Sequence, residues 1–214
     1  MEEKQNIKVW GNRHCYYLMI CLLVSCNTSK NDTGLQENNK QKKENRIIYQ
    51  PDSTINNVLY LQDYTSTDRF YNKSELKSEI WIRESPIVIF SNKSKKEYLI
   101  AYQYEGGTKN SFECFEIGYF VDDMKLESLY VYHTDYESIK TESSLGLGSS
   151  FEEIINKKGI SYTEKQIGDD LLIEYQINDM NTPFLQRYNM PGYFEKFYLR
   201  DNKTYKIIFG FEYP

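Results

Sequence analysis

The residues able to do chemistry are few. Apart from His14 near the N-terminus, the chain carries one histidine, His133. A zinc site draws several ligands from His and Cys, and neither an H-E-x-x-H motif nor a cysteine cluster is present. A Ser-His-Asp arrangement would have to use His133, and no G-x-S-x-G elbow accompanies it. In strand phase His133 shares a face with Leu129 and Val131, which is the setting of an ordinary half-buried or surface histidine. Gly146-Leu147-Gly148 precedes a helical pattern, but the third glycine of a G-x-G-x-x-G loop would fall at Phe151 and no Walker lysine follows. These glycines are read as a tight turn. Glu105, Glu113 and Glu116 lie near aromatics, and a glycosidase would need two such carboxylates across a cleft. Glu113 and Glu116 point to opposite faces of a regular strand. Asp122-Asp123 and Asp169-Asp170 read as turns, and no EF-hand calcium loop is present. No metal and no cofactor is expected, no catalytic residue is assigned, and the chain is read as a non-enzyme.

A different chemistry is written at Cys26. Lys4, Lys8 and Arg13 precede an apolar run over residues 15–24, and small Ser25 stands directly before Cys26. Ten helical residues span roughly 15 Å, about half of a ~30 Å hydrocarbon core. The run is therefore a leader rather than a membrane span. Leu23-Val24-Ser25-Cys26 resembles the lipobox of bacterial lipoproteins. That resemblance implies cleavage between Ser25 and Cys26, a diacylglyceryl group on the Cys26 thiol, and a further fatty acyl chain such as palmitate on the new amino group. Two or three acyl chains hold a protein firmly to a bilayer, whereas one holds it reversibly. Of the four cysteines, Cys15 and Cys21 would leave with residues 1–25, so Cys114 stands alone. It is expected to be a small buried hydrophobe in its strand.

Residues 27–45 contain one aliphatic side chain, Leu35, and no aromatic. Such a segment cannot bury enough apolar area to offset its chain entropy and is expected to be a disordered tether. A flexible chain of that length spans roughly 25 Å. Residues 46–214 are read as a single globular domain. The chain carries a net charge of −5, and removal of the leader's Lys4, Lys8 and Arg13 with Glu2 and Glu3 takes it to −6. A mildly acidic chain without a basic stripe argues against nucleic acid and against electrostatic adhesion to anionic lipid. Contact with the membrane is then expected through the lipid anchor alone. Asn27 is not the aspartate that retains some lipoproteins at the inner membrane, which favours the outer membrane as the location in the cell envelope.

Short runs rich in Ile, Val, Tyr and Phe alternate with turn residues. Strands are expected over 46–49, 58–61, 79–83, 87–90 after a break at Pro86, 97–104, 112–120, 126–133, 160–165, 171–177, 193–200 and 204–211. Gly106-Gly107 is expected to turn the chain between the runs 97–104 and 112–120. In the last strand Tyr205, Ile207, Phe209 and Phe211 share one face, which should meet the core. One helix stands out near 150–158: Ser150 and Glu153 fit a capping box, Phe151, Ile154 and Ile155 form its apolar stripe, Lys157 and Lys158 complement its dipole, and Gly159 closes it. A looser stretch surrounds Pro183. The fold class is α+β, β-dominated, with a mostly antiparallel sheet and one short capped helix. No internal repeat is visible.

The order of capped helix and antiparallel meander, opening on Leu147-Gly148-Ser149-Ser150-Phe151-Glu152-Glu153-Ile154 and closing on Lys158-Gly159, is similar to two domain types. One is the small lipoprotein of the outer-membrane β-barrel assembly machine, the other the β-lactamase-inhibitor-like domains. The similarity covers residues 147–211 and implies a protein-binding, non-catalytic envelope domain. Those domains usually place two helices before their sheet, and one is evident here. Tyrosine is the compositional excess, with twenty in the chain. Tyr98, Tyr102 and Tyr104 share one strand face and Tyr130 and Tyr132 another. They are read either as a contact surface for protein or glycan or as good strand formers on a wet face. The expected partner is an envelope protein or glycan. The alternatives are an enzyme acting on envelope glycans through acidic residues and an immunity-type lipoprotein.

Overall fold

The computed structural model describes residues 47–77, 80–82, 85–103 and 111–212. The leader, Ser25, Cys26, the tether, Tyr104 and Gly106-Gly107 therefore lie outside the described residues. All described residues fall within one compact unit, Glu44–Pro214.

A small hairpin of β1 (Thr54–Ile55) and β2 (Leu59–Tyr60) leads into the short helix α1 (Tyr64–Phe70), whose N-terminus is capped by the Asp63 carboxylate. Strands β3 (Ile80–Ile82), β4 (Ser85–Ser91), β5 (Glu97–Tyr102) and β6 (Cys114–Tyr119) then form an antiparallel meander. Two 3-10 turns, Phe120–Asp122 and Met124–Ser128, precede β7 (Val131–His133), which adds in parallel to the upper half of β4. Helix α2 (Phe151–Lys158) opens a second meander of β8 (Thr163–Ile167), β9 (Asp170–Ile177), β10 (Gly192–Arg200) and β11 (Lys203–Glu212), with α3 (Pro183–Tyr188) between β9 and β10. The two meanders join where β6 and β11 pair antiparallel, giving the order β3-β4-β5-β6-β11-β10-β9-β8. The expected β-dominated α+β class with a mostly antiparallel sheet is what forms. Helix followed by four-stranded meander occurs twice, although the sequence shows no repeat.

Alternation divides the sheet into two faces. The inner face buries Val88, Phe90, Leu99, Phe115, Ile117 and Phe209 against Phe70 of α1, Ile154 of α2 and Leu185 of α3. On the outer face Ile87, Ile89 and Ile100 form a smaller cluster covered by Phe120 and Leu126 from the 3-10 turns. That cover explains one departure from expectation. Residues 126–133 do not run as one strand, because Leu126 folds down onto the sheet and only Val131–His133 pair with β4. Pro86 does not break the chain; it is the second residue of β4, where a missing N–H is tolerated. Residues 47–50 form no strand, and Tyr49 instead stacks on Tyr175 with ring centroids 4.6 Å apart. The stretch at Pro183 is helical. Thr182 accepts from the Leu185 amide, Pro183 occupies the first turn and Asn189 ends the helix in the left-handed conformation.

Helix α2 forms with the expected capping box, Ser150 accepting from the Glu153 amide while the Glu153 carboxylate takes the Ser150 N–H. Gly159 follows it at φ +82°, where a Cβ would collide with the Ile47 carbonyl. Lys158 is not a surface partner of the helix dipole. It is fully buried, with Nζ 2.9 Å from Asp52 Oδ2, 2.9 Å from Glu195 Oε2 and 2.9 Å from the Gln50 carbonyl. Tyr49 donates to the same Glu195 oxygen, Ser143 donates to Asp52 through N and Oγ, and Tyr193 donates to the Asp52 carbonyl. One ammonium thus faces two carboxyls. Burial raises the Asp52 carboxyl, but Lys158 and hydrogen bonds from Glu195, Lys158 and Ser143 outweigh it and leave Asp52 below its ordinary value. Burial drives Glu195 far upward; Lys158 only partly offsets this, and the Asp52 charge and hydrogen bond add to it. The two directions make Asp52 the carboxylate that faces Lys158 and Glu195 the carboxyl that burial favours in its neutral form.

Two measurements check this cluster. Lys158→Met leaves a carboxylate buried without its cation and should lower stability by about 3–5 kcal/mol in urea unfolding. Glu195 has a raised folded value, so its contribution is complete below the unfolded value of ~4.3 and is lost as pH rises toward the folded one, at up to about 1.4 kcal/mol per pH unit. Asp52 acts oppositely, its contribution fading as pH falls through the normal carboxylate range. Glu195→Gln should flatten the decline on the alkaline side of that range; an unchanged slope would mean Glu195 is ionised in the folded protein.

Candidate functional site

The outer face of the sheet carries the richest constellation of polar and aromatic groups. Register sets it. One row across the strands reads Tyr98, Gly118, Lys206, Tyr198, and the next reads Ile100, Glu116, Ile208, Lys196. These rows floor a cleft of about 390 Å³. Asp122 and Asp123, from the 3-10 turns, and Arg200, from the end of β10, form its rim.

Glu116 is the fixed point of the floor. Its side chain is 11% exposed. Tyr98 donates to Oε1 at 3.0 Å, Tyr102 donates to Oε2 at 3.0 Å, and Lys206 Nζ lies 3.1 Å from Oε1. Burial and then the adjacent Glu116 charge push the Tyr98 phenol far above its usual value, so it remains a donor at any physiological pH. The Tyr98 ring lies across Gly118 of the neighbouring strand, where any Cβ would collide with it. Glycine is required there by close approach of a ring, not by backbone conformation.

A β-bulge builds the other wall. Tyr198 pairs with Lys206 while Leu199 pairs with Thr204, so Tyr205 is the extra residue. The bulge turns Tyr205 out of the expected core-facing series and sets its ring 6.2 Å from that of Tyr198. Ile207, Phe209 and Phe211 do meet the core. Arg200 lies 4.4 Å over the Tyr205 ring, donates through Nε and Nη2 to Asp170 at 3.2 Å, and through Nη1 to Asp122 at 3.1 Å. Burial and a hydrogen bond to Asp170 push the Tyr205 phenol up to about 12. Of the cleft's carboxylates, Glu116 and Asp122 each hold a cation. Asp123 has no ion-pair partner among the described residues.

Of the two groups of tyrosines expected on separate strand faces, the described members take different settings, and Tyr104 lies outside the described residues. Tyr98 and Tyr102 line the cleft. Tyr130 is 67% exposed with its ring 4.9 Å from that of Tyr132, and Tyr132 is buried against Phe90 and Tyr71 in the inner core, its hydroxyl accepting from the Lys77 amide. The reason is that β7 begins only at Val131 and pairs its Tyr132 with Phe90. Tyr198, Tyr205, Lys206 and Arg200 were missed because their grouping depends on strand order and a bulge; the alternation of β10 and β11 was the only available signal.

Other candidates resolve as framework. His133 Nδ1 lies 2.8 Å from Ser91 Oγ beside a shallow pocket that Leu129 and Val131 also line. Partial burial and the Lys95 and Lys73 ammonium groups hold its imidazole below the usual value. Ser91 is wholly enclosed, so the pair ties β4 to β7 and presents no accessible nucleophile. Gly148 N donates to the Thr204 carbonyl and Gly146 N to Ser149 Oγ, so neither amide is free for a phosphate. Cys114 is buried and its thiol pushed far up by burial. Among the described residues no three His, Cys, Asp or Glu side chains are grouped to hold a metal ion.

Gly118→Ala should displace the Tyr98 ring, loosen Glu116 and cost about 1–3 kcal/mol of stability, read as a lower melting temperature with a raised hydrogen-exchange rate along β5 and β6. Compared with protein-family models, with curated proteins and with solved structures, the chain matches none of them.

Proposed function

We propose that this chain is a lipid-anchored protein of the bacterial cell envelope, outer membrane in particular, whose domain binds a macromolecule there without chemical turnover. The lipobox-like Leu23-Val24-Ser25-Cys26 and the polar run that follows support the anchor and its spacer. The acidic charge supports attachment through lipid alone, and no helix among the described residues is long and apolar enough to cross a membrane.

The observation that carries the binding reading is the condition of the outer-face cleft. Its floor is pre-organised, with Glu116 locked by two phenols and an ammonium before any ligand arrives. Preorganisation favours affinity, because little freedom remains to be lost on binding. General acid or base catalysis wants a carboxyl group poised to exchange a proton with substrate. Glu116 and Asp122 are instead committed to Lys206 and Arg200.

Cys26→Ser should abolish fatty-acyl labelling and release the protein from the envelope fraction; unchanged processing and retention would defeat the anchor. For the cleft, the full-length chain incubated with purified cell-wall glycan should yield no soluble product. Product formation that Glu116→Gln eliminates would overturn the non-catalytic reading.

A further inference from the structure

We infer that the outer-face cleft takes an uncharged saccharide. This deepens the binding reading and rests on it. Three features of the cleft select the ligand class.

The first is the absence of a backbone edge. The cleft floor belongs to β5, β6, β11 and β10, all interior strands whose N–H and C=O groups are spent in ladders on both sides. An extended peptide gains affinity at a sheet by pairing with an edge, and none is offered here. Recognition must come from side chains alone.

The second is internal charge matching. Lys206 is paired with Glu116, and Arg200 with Asp122 and Asp170. An anionic ligand would have to displace one of these partners and leave a charge uncompensated, whereas a neutral ligand displaces none.

The third is what remains open. Tyr198 is only half-buried, with its ring beside that of Tyr205. Asp123 keeps a carboxylate for hydroxyl donors. Lys206 has three N–H donors, and among the described residues Glu116 is its one ion-pair partner. A sugar presents an apolar C–H face to a ring and hydroxyls that both donate and accept. Its chemistry complements each of these groups. The volume of about 390 Å³ lies at the small end of ligand pockets and suits a terminal sugar unit or two of a glycan chain.

The test is an array of neutral oligosaccharides built from gluco, manno, galacto and N-acetylglucosamine units, probed with the full-length chain in detergent, with calorimetry on the hits. Binding to at least one such sugar is expected, little changed by added salt. Tyr198→Ala and Asp123→Asn should each weaken it roughly tenfold or more, with thermal melting as the check of fold, while Tyr130→Ala leaves it unchanged. No binding by the folded chain to any neutral sugar overturns the inference. Should an ionic peptide instead bind in a salt-sensitive manner that Tyr198→Ala removes, the saccharide class falls and the binding cleft stands. Sugar binding indifferent to both cleft variants overturns the assignment of the site.

Discussion

The antiparallel pairing of β6 with β11 holds the molecule together. It is the one connection that turns two four-stranded meanders into a continuous sheet, and it lies between strands far apart in sequence. On the inner side of this seam Phe115 faces Phe209 and Ile117 faces Ile207, all fully buried, so pairing and core formation reinforce one another. On the outer side the same register places Glu116 from the first meander beside Lys206 from the second. The cleft is thus a product of the seam. Neither meander alone contains its ion pair, and a shift of one residue would turn Glu116 (in β6) or Lys206 (in β11) toward the hydrophobic core.

The inner face carries a second long-range constraint, of opposite character. Lys158, Asp52 and Glu195 come from a helix end, an irregular segment and the middle of a strand. A buried cluster of this kind is weak evidence for net stabilisation, because desolvation of the charges offsets their attraction. What it supplies is position. The Lys158 ammonium has few acceptable sites in an aromatic core, and the one it occupies fixes residues 49–53 against α2 and β10. The neutral state of Glu195 follows from the same arithmetic: one buried cation can compensate one carboxylate, so the second carboxyl keeps its proton. The N-terminal end of the described residues is therefore seated in the core through specific polar contacts.

The two faces show how one sheet can serve both purposes. The inner face is closed by three helices and is nearly all apolar. The outer face is half covered by the 3-10 turns, and the uncovered half keeps tyrosines, paired charges and, among the described residues, the unpaired Asp123 carboxylate. Tyrosine suits that border because its ring buries apolar area while its hydroxyl satisfies a neighbour. Tyr98 does both, roofing Gly118 and holding Glu116. The abundance of tyrosine in the sequence therefore has two accounts at once. Some, such as Tyr132, Tyr175 and Tyr193, are core residues with their hydroxyls spent on backbone groups, and others line an open cleft.

Much of the secondary structure was legible from local pattern. The capping box of α2, the turns at Gly168 and Asp201-Asn202, and the alternation of β5, β6, β9, β10 and β11 all follow from interactions within a few residues of chain, and local sequence encodes those directly. The lipobox-like pattern at Cys26, on which the proposed anchor rests, is equally local. Helix α3 was written in Thr182-Pro183 but is too short for periodicity to reveal. Strand order, the bulge at Tyr205, the burial of Lys158 and the company kept by Glu116 were decided only in the folded molecule. Lys158 depends on Asp52, Gln50 and Glu195 and Glu116 on Lys206, all distant along the chain, and no spacing rule reports which distant residue will complete a charge or cover a ring. Amino-acid order thus determined which segments are strands and which side chains alternate; the meeting of two meanders along β6 and β11 decided which of those side chains became a core and which became a site.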